Sequence, residues 1–298
     1  MAAVDSDRVE VFEANRRRLF GLAYRMLGEA SEAEDVVQDA YLRWATSVDV
    51  AIPEAWLTKV VTNLCLNRLT AARARRETYI GPWLPEPVVT TSGELGPLDT
   101  IEQRDSISFG VLVMLERLTP PERAVFILRE AFGHSHREIA DILAIDEAHS
   151  RQLHRRARQH MGTTHPRFDA DRHHRDRIVQ SLFTAVAEGN VAQLERVLAD
   201  DVEAWADGGG RAAARRPVIG RDKVARYIVG LSQRPETANA RPVFTEINGE
   251  PAAAYYDGDT LIGVSVLEIA GDRVAAIRLT VNPDKLAFVA RQLGRSNR

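Results

Sequence analysis

The chain has 298 residues, a net charge of −3 and a pI near 6.3, with 45% hydrophobic and 27% charged residues. Those figures exclude a disordered chain and argue against a protein that binds duplex DNA unaided through phosphate contacts; the length predicts two or three domains. The single cysteine, Cys65, excludes an internal disulfide and a cysteine-based metal cluster. No apolar run reaches the length of a membrane helix and the N-terminus is polar, so no membrane partner and a cytoplasmic location are expected. Charge is segregated: residues 29 to 39 carry five acidic side chains and no basic one, whereas 68 to 76 and 151 to 158 are basic. Separate surfaces with separate partners are implied.

Residues 1–77 read as helices. Ser31 and Glu34 have capping-box spacing and predict a helix over SEAEDVVQDAYLRWAT, with Val37, Tyr41 and Trp44 on its core face. Asp35, Gln38 and Asp39 then form an exposed acidic stripe. Pro53 opens the next helix, which buries Trp56, Leu57, Val60 and Leu64 and exposes Lys59, Asn63 and Asn67. Residues 78–105, rich in proline and glycine, read as a linker, although Trp83 and Leu84 are too apolar for a mere spacer.

Helices resume near Ser106. Thr119-Pro120-Pro121-Glu122 starts one that stops at Gly133, and Ser135 with Glu138 caps HREIADILA. A tight turn at Ala144 to Asp146 leads into EAHSRQLHRRARQHM, a basic helix of roughly 20 Å. Two short helices joined by a tight turn, the second one basic, make a helix-turn-helix within 106–165. After a polar hinge, residues 173–298 place helices at 175–188, 191–199 and 221–231 before strands RPVFTEI, AAAYY, TLIGVSVLEI and RVAAIRLTV. Asn248-Gly249, Asp257-Gly258 and Gly271-Asp272 mark the hairpin turns. A separate α+β domain with an antiparallel meander is predicted.

The first 160 residues resemble an extracytoplasmic-function sigma factor. EAEDVVQDAYLRWAT is similar to that family's polymerase-binding segment, which implies that Asp35, Gln38, Asp39 and Arg43 meet core bacterial RNA polymerase. EAWLTKVVTNLCLNRLTAARARRE is similar to the promoter-melting segment, which implies minus-ten contacts by Ser47, Ile52, Lys59, Asn63 and Arg68. The helix-turn-helix resembles the module that reads the minus-thirty-five element, with His136, Arg137, His149, Ser150, Arg151, His154 and Arg155 toward promoter DNA.

Three further strings point to the branch with a fused C-terminal SnoaL-like domain, a cone-shaped α+β fold with a curved antiparallel sheet. They are Trp83-Leu84-Pro85-Glu86-Pro87, Asp207-Gly208-Gly209-Gly210-Arg211 and Asn282-Pro283-Asp284-Lys285-Leu286. Arg211 stands where that branch usually has lysine. The resemblance implies that these residues regulate the sigma factor in cis; the extension is expected to dock on the linker near Trp83 to Pro87 and to set the spacing of the two DNA-reading domains.

Taken alone, the acidic stripe is a solvated helix face, and Asn63 an ordinary exposed residue; the resemblance favours partners for both. All eight histidines lie between His134 and His174, and His165, His173 and His174 lack matched metal-ligand spacing, so neither metal nor cofactor is expected. SnoaL-like folds also host enzymes using an aspartate in the cone, which leaves Asp207, Asp257, Asp259, Tyr255 and Tyr256 to weigh. The safer reading of the glycine and proline motifs is structural, a non-enzymatic role is expected, and a small-molecule ligand of the extension stays open. A helix-turn-helix regulator with a ligand-binding domain is one rival reading, and a cyclase- or isomerase-like enzyme fused to a DNA-binding module is another.

Overall fold

The computed structural model describes residues 2–77, 79–90, 93, 95, 103, 106–162, 172–210, 213–237 and 239–296, with backbone alone at 2–7, 71–75, 77, 172, 173, 295 and 296. These residues form two units, each described on its own terms. The first takes Met1–Glu77, Ser92–Ile107 and Val111–His165; the second takes Thr78–Thr91, Ser108–Gly110 and Pro166–Arg298. The linker expected over 78–105 is thus divided, its first half belonging with the C-terminal unit.

In the first unit α1 (Ala2–Leu27) packs on α2 (Ala30–Ala45) and α3 (Pro53–Glu77). The apolar period of α2 puts Val36, Val37, Ala40 and Trp44 in the core, where Trp44 meets Trp56 with ring centroids 5.7 Å apart. This helix begins one residue ahead of the expected cap: Glu29, with extended backbone, is the cap residue, and Ser31 already lies in the first turn. The cause is Ala30, which is completely buried and is drawn into the helix by packing.

The short apolar α4 (Phe109–Leu115) precedes α5 (Pro120–Glu130), where Glu122 accepts hydrogen bonds from the Thr119 amide at 3.0 Å and its hydroxyl at 2.8 Å. Next come α6 (His136–Leu143) and α7 (Glu147–Met161). Ser135 caps α6 in a reciprocal box with Glu138, and Asp146 accepts from the His149 amide at 2.7 Å to open α7. Between the two helices Ala144 takes a left-handed conformation (φ 54°), which turns the chain within three residues. Helices α5, α6 and α7 pack together, and α5 and α6 also pack on α3.

The second unit is built on one sheet. Its elements are α8 (Arg172–Ala187), α9 (Val191–Val197), β1 (Leu198–Asp207), β2 (Val218–Ile219), α10 (Arg221–Ser232), β3 (Arg241–Ile247), β4 (Glu250–Asp257), β5 (Thr260–Ala270), β6 (Arg273–Thr280) and α11 (Pro283–Ser296). Strand order is β2-β1-β6-β5-β4-β3. The expected meander β3 to β6 is antiparallel throughout, but β1 lies parallel to β6, so the sheet is mixed. The helical reading of 191–199 overran into β1, because the string LADDVEAWAD reads as acidic until pairing with β6 buries its alternate Val202, Ala204 and Ala206. One face packs Val202, Ala204, Leu267 and Ile277 against Ile178 and Leu182 of α8, Leu194 of α9 and Val224 of α10. Side chains alternate across a strand, so Trp205, Asp207 and Arg278 stand on the opposite face.

Candidate functional site

On α2, Asp35 and Gln38 are exposed, Asp39 is half-buried and Arg43 is exposed. Arg68 of α3 reaches across and pairs with Asp39 at 2.8 Å, with Asp35 and Glu32 each at 3.8 Å. Side chains assigned to two different partners are therefore paired with each other. Leu42, 59% exposed, lies one turn beyond Gln38 and Asp39 on the same face. It escaped the sequence reading, yet an apolar residue at helical spacing within a polar stripe was the available signal. Ser47 is half-buried, its hydroxyl donating to the Trp44 carbonyl at 2.8 Å, while Ile52 stands 66% exposed with Val48 close by in sequence. Asn63 is exposed on α3.

Helix α7 exposes His149, Arg151 and Arg155, and α6 exposes Arg137. Arg151 pairs with Glu147 at 2.6 Å one turn back. Ser150 corrects the expectation of a DNA-facing residue: it is fully buried, its hydroxyl 3.0 Å from His136 Nδ1, where it ties α7 to α6. Helical period explains this, since Ser150, Leu153, Ala157 and Met161 form the buried stripe of α7. His154 is half-buried and held by Glu130 at 2.7 Å, and its ring lies 5.4 Å from that of His136. Both histidines brace the helix-turn-helix from within.

The same unit brings the two modules together through charge. Lys59, on the exposed side of α3, donates to the Asp141 carbonyl of α6 at 2.9 Å. Glu116, after α4, receives Arg76 of α3 and Arg123 of α5; Arg76 also pairs with Glu29 at 3.1 Å, and Arg123 donates to the Arg25 carbonyl of α1 at 3.1 Å. Burial raises the Glu116 pKa, but the charges and hydrogen bonds of Arg123 and Arg76 outweigh it and hold the carboxyl below its ordinary range. Nothing in the spacing of these residues announced the cluster.

In the second unit Asp207 ends β1 completely buried. Its carboxylate accepts from Lys285 Nζ at 2.7 Å, the Leu84 amide at 2.9 Å, the Gly209 amide at 3.2 Å and the Tyr79 hydroxyl. Lys285 also donates to the Leu84 carbonyl and lies over the Trp83 ring at 4.4 Å. Asn282 donates to the Tyr79 hydroxyl at 2.9 Å and, through its side-chain oxygen, caps the Asp284 amide at 3.1 Å. Gly209 must be glycine here: its φ is +59°, and a Cβ would sit 2.6 Å from Asn282 Cγ. Leu84 and Pro85 are buried, as is Gly208; Gly210, Pro283 and Asp284 are exposed. Arg211 lies outside the described residues.

The strings of residues 207–210 and 282–285 thus form one clasp around residues 79–84, where the string at 83–87 begins. It is extended by Asn248, which exchanges hydrogen bonds with Val88 (side chain from the Val88 amide and amide to the Val88 carbonyl, both 3.0 Å), and by Gln292, whose oxygen accepts from the Val89 amide at 2.9 Å. Tyr79 and Gln292 carried no sequence signal; Asn248 read only as a turn residue, which its φ of 54° satisfies.

The face of the sheet enclosed by α8, α9 and α10 is packed with aliphatic side chains. Asp207 is on the other face, and Asp257 and Asp259 are exposed at a hairpin turn. Tyr256 is half-buried, whereas the Tyr255 hydroxyl shares a hydrogen bond with Ser265 at 2.9 Å and is pushed up by burial, although that bond opposes the shift. Among the described residues no group of three or more His, Cys, Asp or Glu is placed to hold a metal ion, and no helix is long and apolar enough to cross a membrane. His165 and the side chain of His173 lie outside the described residues.

Residues 11–75 match the family Sigma-70 region 2, and residues 109–161 match Sigma-70, region 4. The ECF RNA polymerase sigma factor SigJ of Mycobacterium tuberculosis is 40% identical over 294 residues, covering 93% of this chain and 92% of the relative. The probable ECF RNA polymerase sigma factor SigI of that organism is 31% identical, covering 95% and 96%. The crystal structure of Mycobacterium tuberculosis SigJ superposes with a TM-score of 0.75 at 35% identity, covering 94% of this chain and 98% of that one.

Proposed function

Since the chain belongs to the extracytoplasmic-function RNA polymerase sigma factors, we propose that it binds core RNA polymerase, recognises promoter DNA, initiates transcription and is governed in cis by its C-terminal extension. In this reading Asp35, Gln38 and Asp39, with Leu42 and Arg43, form the polymerase face, since exposed carboxylates suit a basic protein partner and repel nucleic acid. Asn63 and Ile52 face the opened minus-ten strand, joined by Lys59 once it leaves the Asp141 carbonyl, and Arg137, His149, Arg151 and Arg155 face the minus-thirty-five duplex. Arg68 is freed for DNA only when its carboxylate partners turn to polymerase.

The observation that carries the cis-regulatory part is the Asp207–Lys285 clasp on residues 79–84. An extension that merely hung from the chain would not bury an ion pair on the segment joining the two promoter-reading modules. The extension is read as non-enzymatic: of the aspartates weighed as candidates, Asp207 is consumed by the clasp and Asp257 and Asp259 are exposed at a turn. The test is transcription from a promoter library by core polymerase with purified protein, beside the Asp35→Ala/Asp39→Ala variant. Transcription that falls at least tenfold in the variant is expected; duplex binding without polymerase association would overturn the reading.

A further inference from the structure

We propose that a cavity of about 70 Å³ within the first unit, lined by Arg18, Arg25, Leu95, Gln103, Ala131 and Phe132, binds a small tetrahedral oxyanion of the phosphate class. Arg25 is 2% exposed and donates Nε to Ser106 Oγ at 2.7 Å, Nη1 to the Gly21 carbonyl at 2.9 Å and Nη2 to the Gln103 carbonyl at 3.2 Å. All three acceptors are neutral. Among the described residues no carboxylate lies within ion-pair distance of Arg25, unlike Arg123 and Arg76, which have Glu116.

A guanidinium removed from water without a counter-ion is costly, and burial lowers its pKa to about 10. Five N–H donors less three engaged leave two for a ligand. Arg18 supplies the second cation; its carboxylate partner, Glu54, is 59% exposed, and its Nη2 lies 3.5 Å from His134 Nε2. Both guanidiniums stand on the Phe132 ring, at 5.7 Å and 5.4 Å from its centroid, which fixes the two forks beside the same space. A single water needs roughly 10–15 Å³ of such volume, so this cavity has room for a larger polar guest. Planar guanidinium forks are matched to phosphate oxygens. Arg18 and Arg25 belong to α1, while Ala131 and Phe132 follow α5, so an occupant touches both modules of the unit.

Full-length protein would be titrated with inorganic phosphate, and separately with AMP, by calorimetry at constant ionic strength against chloride. Saturable phosphate binding is expected, with affinity cut at least tenfold by Arg18→Gln, which removes a donor, and by Ala131→Leu, which fills the space. Unchanged circular dichroism in at least one variant guards against misfolding. AMP binding as tightly as phosphate would support recognition of a phosphoryl group on a nucleotide; binding of phosphate alone would support free phosphate. No heat beyond that of chloride, or undiminished affinity in a folded variant, would overturn the proposal.

Discussion

A buried charge cluster in each unit invites comparison, and the two are built differently. In the first unit Glu116 serves two arginines, Arg76 and Arg123, at a junction of α1, α3 and α5 where the carboxylate keeps 24% of its side chain exposed. In the second unit Asp207 and Lys285 are matched one to one, 0% and 7% exposed, and the remaining carboxylate lone pairs are taken by backbone amides and Tyr79. The first joint is cation-rich and touches solvent. The second is closed, with its carboxylate shut off from solvent. Partnered burial of charge is weak evidence for net stability, yet removing one partner is strongly destabilising, so both clusters can be broken by design.

The largest effect is expected from Asp207→Ala, which leaves Lys285 buried without its carboxylate and should cost toward the upper end of roughly 3–5 kcal/mol. Amide hydrogen exchange resolves it: Leu84 should lose protection while α1 to α3 keep theirs, and unchanged protection at Leu84 would contradict the clasp. Glu116→Ala is expected toward the lower end of that range, since solvent reaches this carboxylate. Its loss should appear as faster exchange where α5 meets α1 and α3, leaving the sheet unaffected.

The Glu116 cluster also has a pH signature. Its folded pKa lies below the unfolded one, so its stabilisation is full above about pH 4.3, the ordinary glutamate value, and is lost as pH falls through the lower folded value. Urea unfolding of the first unit should therefore lose part of its acid sensitivity in Glu116→Gln; identical pH profiles would contradict it. Smaller still is Gly209→Ala, expected to cost about 1–2 kcal/mol from the left-handed backbone alone, with the clash against Asn282 adding to it. Equal urea midpoints for this variant and the parent would show that the turn relaxes.

The comparison also explains what could be read from the chain. The clasp was legible in part because the strings around Trp83, Asp207 and Lys285 resemble those of one sigma-factor branch; read from the residues alone they were a linker, a loop and a strand-to-helix turn. Each string does local work that constrains its composition. The Glu116 cluster was not legible, because Arg25, Arg76, Glu116 and Arg123 are common residues on ordinary helices and meet only in three dimensions. The same limit hid β1, whose acidic string becomes a strand only beside β6. Ser150 shows the complementary error: a polar residue in a basic helix was read as facing DNA, although Leu153 and Ala157 already marked its side of α7 as the buried one. The stripe of α2 was easier to read, because amphipathic period fixes a face without tertiary knowledge, whereas on α3 Trp56 and Val60, expected in the core, are only half-buried and Val61 and Cys65 take their place.

The central claim is that the extension governs promoter output through its grip on residues 79–84, separately from polymerase binding. The most direct measurement is transcription by core polymerase saturated with either the parent protein or Asp207→Asn, which keeps the shape of the side chain and removes its charge. Equal binding to polymerase with promoter output changed several-fold, in either direction, is the predicted result. Equal binding with equal output would contradict the claim and reduce the clasp to a structural fastening.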